Sequence, residues 1–308
     1  MKLAVPDLVS NSYFPAEAAV ELGCFAEEGL DVELELVFPV DRAYEALREG
    51  AVDLVGGAAH AALAAFPNWD GAKLLCAQSQ GMYWFLVAHR DLEIARGDLH
   101  ALRGRTIGAA PWVDMGLQHL CRQVGLDPAQ DVRIVGIPAP PDAQPNFGLR
   151  AAEALQERQV DAFWANGMAA QLAVQGGFGS VVLDVRRGDG PPSGFTCTLP
   201  AIAATEQLVE TDPDTAAAVV RAVVRAQKLL QEDVTRAGEI GAKLFPPHEA
   251  GLITEIVHRD LPFYQPTLSE VFVEAMNRFA RELGLLSGPV PYERVVAAQL
   301  AGLRQSGS

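Results

Sequence analysis

An amide, a hydroxyl and a phenol stand side by side near the start of the chain, at Asn11, Ser12 and Tyr13. Together they offer hydrogen-bond donors and acceptors to a small molecule, and Tyr13 adds a ring face. Asn and Ser also satisfy loop backbone, so either one taken singly reads equally well as structural. His60, after the small residues Gly56-Gly57-Ala58-Ala59, could bond a solute or sit satisfied in packing. Asp114 could pair with a ligand amine or face the dipole of a helix start. Asn166 adds a polar group after Phe163-Trp164-Ala165, and Tyr83, Trp84, Trp112, Trp164 and Phe195 supply rings in separate segments. Each ring alone is more often core than platform. Several in loops of one kind point to stacking on, or enclosure of, a ring or chain. Trp69, behind Pro67, reads as surface or packing. The sequence shows no Ser-His-Asp spacing, no paired carboxylates and no metal-ligand cluster, so no catalytic residue, metal site or cofactor is expected. Arg186 and Arg187 are the nearest arginines to these loops. The amides after Gly57 and after Pro111 leave an anion open as ligand.

Elements in strand–helix order must position these groups. Leu3-Ala4-Val5 reads as a strand and Pro15 as the first residue of a helix. A short turn from Phe25 to Glu28 ends at Gly29. "DVELELVF" then alternates, with Val32, Leu34, Leu36 and Phe38 on one side, as an edge strand does. "DRAYEALREG" reads as a helix and "AVDLVGG" as a strand. The order β-α-β-α-β implies parallel strands, and ligands of such sheets bind at the strand carboxyl ends. The loops 10–14, 56–60, 109–115 and 163–168 fall at those ends. "AYEALREGAVDLVGG" is echoed by "AAEALQERQVDAFWANG", pairing Asp53 with Asp161. The chain therefore reads as two Rossmann-like α/β lobes with a hinge. Lobe 1 is 1–88 plus 200–308 and lobe 2 is 89–199, with a ligand cleft between them. Asp212 and Pro213 open a long helix, and "LSEVFVEAMNRFARELGLL" forms another that stops near Gly284. Both are expected to pack on lobe 1. The tail "RQSGS" reads as a frayed end.

The net charge of −15 argues against nucleic acid, whose phosphates need clustered Lys and Arg. It weakly favours a neutral or cationic ligand. No apolar run is long enough to span a bilayer. The four cysteines lie far apart and read as buried free thiols. No secretory leader precedes the first strand, which implies the cytoplasm as the sequence stands, or a periplasmic or surface-tethered place if a leader was removed.

"AAVELGCFAEEGLDVEL", "ALREGAVDLVGG", "LRGRTIGAAP…GLDPAQDVRIVGI" and "FVEAMNRFARELGLL" resemble solute-binding proteins of the nitrate, taurine and alkanesulfonate type, whose superfamily includes the thiamine-pyrimidine branch. The resemblance covers nearly the whole chain. It implies a type II periplasmic-binding-protein fold, closure on a small organic solute, and an ABC permease as partner. An aromatic or amine-bearing solute is favoured, gripped by Asn11, Ser12, Tyr13, Gly57, His60, Tyr83, Trp84, Trp112, Asp114, Trp164, Asn166 and Phe195. The pyrimidine branch is similar in carrying Asn at Asn11, but has His where Phe14 stands, and the cysteine cluster of the synthase members is missing. A desulfinase-like enzyme is the alternative, with Ser12 where that enzyme has a nucleophilic Cys. A serine without an adjacent base is a poor nucleophile. A decarboxylase-like enzyme and a cytoplasmic solute sensor are further alternatives on the same scaffold.

Overall fold

The computed structural model describes residues 1–138 and 146–305. The end of the tail, 306–308, lies outside them. The chain divides into two units, residues 1–80 with 196–308, and residues 81–195.

The first segment runs β1 (Lys2–Val5), α1 (Phe14–Glu21), α2 (Cys24–Glu27), β2 (Glu33–Leu36), α3 (Val40–Arg48), β3 (Leu54–Ala58) and β4 (Ala72–Ala77). The second unit holds β5 (Phe85–His89), β6 (Thr106–Ala109), α4 (Asp114–Gln123), β7 (Arg133–Val135), α5 (Phe147–Gln156), β8 (Ala162–Ala165), α6 (Gly167–Gln175) and β9 (Gly179–Asp184). The chain then returns through β10 (Pro200–Thr205), α7 (Glu206–Thr211), α8 (Pro213–Glu232), α9 (Arg236–Leu244), α10 (Pro247–Asp260), α11 (Glu270–Glu282) and α12 (Tyr292–Val295).

The sheet of the first unit has the order β2-β1-β3-β10-β4, and that of the second β7-β6-β8-β5-β9. In the first, β1 is parallel to β2 and β3, as the sequence implies, but β10 runs antiparallel to both β3 and β4. In the second, β6 is parallel to β7 and β8, and β5 runs antiparallel to β8 and β9. Both sheets are therefore mixed, and the parallel reading holds for three strands of each. The antiparallel member is the strand that enters its unit across a unit boundary, which a local helix–strand pattern does not announce.

The repeated motif has a physical basis. Asp53 Oδ2 accepts from the amide of Lys2, the first residue of β1, at 2.7 Å. Asp161 Oδ2 accepts from the amide of Thr106, the first residue of β6, at 2.7 Å. Each aspartate pins the start of the strand beside it, so its type is set at both positions. The left-handed residue that ends the preceding helix is Gly50 in one copy and Arg158 in the other.

α1 begins one residue before the expected Pro15, with Tyr13 at its N-cap. Asp212 caps α8 through the amide of Thr215 at 3.1 Å, and Ser269 caps α11 through Phe272 at 3.2 Å. α8 packs against α1 and α2 in the first unit. Trp69 is fully buried there, its indole N–H donating to Asn277 Oδ1 at 3.1 Å, so it is a packing residue. Arg304, read as part of a frayed tail, is buried instead, and its guanidinium donates to the carbonyls of Leu75 at 2.9 Å and Ala297 at 3.2 Å. The four cysteines are buried free thiols, and burial pushes Cys121 to about 11 and Cys76 to about 12, which keeps both protonated near neutral pH. Among the described residues, no helix is long and apolar enough to cross a membrane.

Candidate functional site

In the first unit the chain leaves β1 into the loop 6–13, whose last four residues are buried. The loop closes on itself, Tyr13 N donating to Ser10 O at 3.1 Å. Asn11 is fully buried, and its Nδ2 donates to Asp260 Oδ2. The Tyr264 hydroxyl donates to the Asn11 carbonyl. A carboxylate accepts only, so Asp260 fixes which end of the amide faces it. Asn11 Oδ1 is then left as a buried acceptor with no donor among the described residues. Most buried polar atoms have a partner, so one without is a place where a ligand group would be satisfied.

His60 is the second residue of the 3₁₀ turn, Ala59–Ala64, that follows β3. Its Nδ1 lies 2.9 Å from Thr198 Oγ1, and its ring meets Phe279 edge-on at 5.6 Å. Gly57 lies within β3 and faces α3. A Cβ there would stand 3.0 Å from Val40 and 3.6 Å from Tyr44, so the glycine permits close strand–helix packing.

In the second unit the rings gather. Tyr83 and Trp84 precede β5, with centroids 4.7 Å apart, and Trp84 meets Trp164 of β8 edge-on at 6.1 Å. The Trp164 indole donates to Val113 O at 3.0 Å, tying the cluster to the loop between β6 and α4. Gly116 makes room for Trp84, since a Cβ would lie 3.3 Å from its ring and 2.7 Å from Met82 Sδ. Trp112, half-buried in that loop, has φ +68°. A tryptophan in the left-handed region is strained by roughly 1–3 kcal/mol, and such residues cluster at functional sites. Asp114 starts α4, and its carboxylate accepts from Gln118 Nε2 at 2.8 Å. Burial raises its pKa, while that hydrogen bond opposes the rise. Phe195 lies over Gly81, where a Cβ would come within 2.3 Å of the ring. Asn166 caps α6, its Oδ1 accepting from Ala169 N at 3.0 Å. Asn166→Ala should cost about 1 kcal/mol of stability, and Asn166→Ser much less, in urea denaturation. Equal loss in both would point to a role other than the cap.

Residues 11–237 match the sequence profile of the family described as NMT1/THI5 like. The chain belongs to the NMT1/THI5-like family. It is 25% identical over 262 residues to the nitrate import ATP-binding protein NrtC of Synechococcus elongatus, covering 73% of this chain. The chain spans only 34% of that relative's length. The periplasmic aliphatic sulphonate binding protein SsuA of Escherichia coli shares its fold at TM-score 0.70 and 14% identity, with 98% of each chain covered. So does the enzyme DSZB, solved in complex with biphenyl-2-sulfinic acid, at TM-score 0.66 and 16% identity over 98% of this chain and 97% of that one. The likeness establishes the two-lobe α/β architecture of the binding proteins. The presence of an enzyme among these structures leaves chemistry to the residues themselves.

The NMT1/THI5-like chain also carries one group that its sequence marked only as a nearby arginine, and two that it did not single out. Arg186 is buried, and its guanidinium carbon lies 5.6 Å from the centre of the Tyr83 ring. Its Nη2 also approaches Gly81 O at 3.5 Å. Asp260 and Tyr264 reach the Asn11 loop from some 250 positions away in the chain. No local signal marks either of them. The general preference of buried Asn for a fixed partner would have suggested only that one exists.

Proposed function

We propose that the protein is a non-catalytic binder of a small heteroaromatic solute bearing an N–H donor, serving ABC-type uptake. The observation that carries the ligand class is the unpaired Oδ1 of Asn11, which asks for a donor. Nitrate and simple sulfonates are pure acceptors and would leave it unsatisfied. The Tyr83, Trp84 and Trp164 rings are at most 3% exposed and pack on one another, so the half-buried Trp112 is the ring with a face left for a solute. Most of the acidic excess falls in the first unit, which favours a neutral or cationic solute over an anion. Uptake and a permease partner belong to this proposal through family membership and the likeness to SsuA. Placement outside the cytoplasmic membrane follows from the same likeness if the chain is exported.

Thermal-shift titration tests it. Aminopyrimidines and aromatic amines should stabilise the protein, by about 2.7 kcal/mol at a hundredfold excess over Kd. Nitrate and ethanesulfonate should not. Trp112→Gly should erase that response, with relief of strain at the left-handed backbone offsetting part of the packing lost with the half-buried ring. Stabilisation by ethanesulfonate alone, or an undiminished response in the variant, would overturn the ligand class or the site. Turnover of an aromatic sulfinate, lost in Ser12→Ala, would replace binding by catalysis.

A further inference from the structure

Gln227, midway along α8, is 2% exposed. Its Nε2 donates to the carbonyls of Ala77 at 3.1 Å and Gln78 at 2.8 Å, at the end of β4. Two carbonyl acceptors fix the orientation of the amide. Its Oε1 is thereby left as a second buried acceptor without a donor among the described residues. Gln227 lines a cavity of about 330 Å³ in the first unit, walled also by Val224, Lys228, Gln231, Glu232 and Tyr264. That volume lies at the small end of the range for ligand sites, roughly 300–1,000 Å³.

Lys228 and Glu232 stand one helical turn apart, within reach of each other. Neither has an ion pair with the other or with any described residue. The neighbouring groove on α8 shares Lys228 and Glu232 and adds Arg221 and Arg225, which Glu28 and Glu27 engage. One uncommitted cation and one uncommitted anion, lining both grooves, match a molecule that carries both charges.

The cavity also abuts the supports of the Asn11 loop. Tyr264 forms part of its wall, accepts from Gln231 Nε2 through its carbonyl at 2.8 Å, and donates its hydroxyl to Asn11 O. Gln227 holds Ala77, the last residue of β4, and Gln78 after it, two positions before the chain leaves the unit at Gln80.

We propose that this cavity is a regulatory site for a small zwitterion, an α-amino acid. Its carboxylate would lie on Lys228 and its ammonium group on Glu232. Occupancy acts on the Asn11 loop through Tyr264. That coupling rests on the reading of the loop as part of the solute site, whereas the cavity and its ligand do not.

Isothermal titration of the full chain with glycine, serine and glutamine tests the site, with acetate and ethylammonium as single-charge controls. At least one amino acid should bind saturably in the millimolar range and the controls should not. Lys228→Met and Glu232→Gln, both at solvent-facing positions, should each weaken binding about tenfold with Tm unchanged. Trp112→Ala should leave it intact. Absence of saturable binding, binding that survives both substitutions, or binding lost in Trp112→Ala would overturn the proposal. Amide exchange reads the coupling without any knowledge of the primary solute. The bound amino acid should slow exchange in residues 10–13 of the wild type but not of Tyr264→Phe. Unchanged exchange in the wild type would refute the regulatory role. Failure of the solute reading shows separately, as absence of any response in the heteroaromatic panel.

Discussion

Asn11→Asp should abolish solute binding and destabilise the protein by about 3–5 kcal/mol near neutral pH, the range for a buried charge left without compensation. The wild-type amide donates to the Asp260 carboxylate from a fully buried position. An aspartate would set two acceptors against each other at that point, with no proton between them. Arg259 Nε, 3.5 Å from the other Asp260 oxygen, already serves one carboxylate and cannot neutralise two. The pair would have to share a proton, as adjacent carboxylates do, so the cost should shrink as pH falls toward the ordinary carboxylate range. Asn11→Ala gives the contrast. It removes a donor but adds no charge, and should cost about 1–3 kcal/mol with little dependence on pH. Urea denaturation of the three proteins at acidic and mildly alkaline pH separates the two cases. An aspartate variant as stable as the alanine one at alkaline pH would show that Asp260 is not the partner that orients the amide.

The same loop shows where sequence reasoning reaches its limit. Its place after the first strand, and its polar and aromatic content, follow from the strand–helix pattern. So does the doubled unit, because Asp53 and Asp161 answer the same local demand, a strand start that needs an acceptor. Local chemistry of this kind is legible because its cause lies within one motif. Caps belong to the same class: Asp212 was readable from Pro213 beside it. Asn166 is followed by Gly167 and has no proline to mark the helix start, so its amide reads as a ligand contact. What could not be read is set by long-range packing. The partners of Asn11 come from α10 and the turn after it, the antiparallel β10 enters its sheet from a distant segment, and Arg304 finds its carbonyls at β4 and after α12. The backbone of Trp112 is likewise silent in the sequence, since nothing in Pro111-Trp112-Val113 demands a positive φ.

Glu17→Gln should stabilise the protein, by a margin that grows with pH. Glu17 sits in the first turn of α1, where the helix dipole ordinarily favours an acid. Here burial outweighs the dipole. The side chain is fully buried, and neither carboxyl oxygen has a partner among the described residues. Burial first, and then the charges of Asp7 and Glu21, raise its pKa well above the usual carboxylate range. The sign follows from linkage. Below the unfolded value of about 4.3, both states hold the proton and the group contributes no pH dependence. Above it the unfolded chain ionises while the folded one does not, so stability falls by up to about 1.4 kcal/mol per pH unit until the folded value is reached. Glutamine has nearly the same shape and cannot ionise, which removes that loss. The two proteins should therefore unfold at similar temperatures near pH 4 and diverge through neutrality, by roughly 2–4 °C for each kcal/mol. Ligand-induced shifts should be the same in both, because Asn11, Asp260 and Tyr264 are untouched. Glu17→Met should gain at every pH, since it also removes the unpartnered polar atoms. A difference between wild type and Glu17→Gln that stays flat from pH 4 to about 8 would mean that Glu17 does not hold its proton in the folded state.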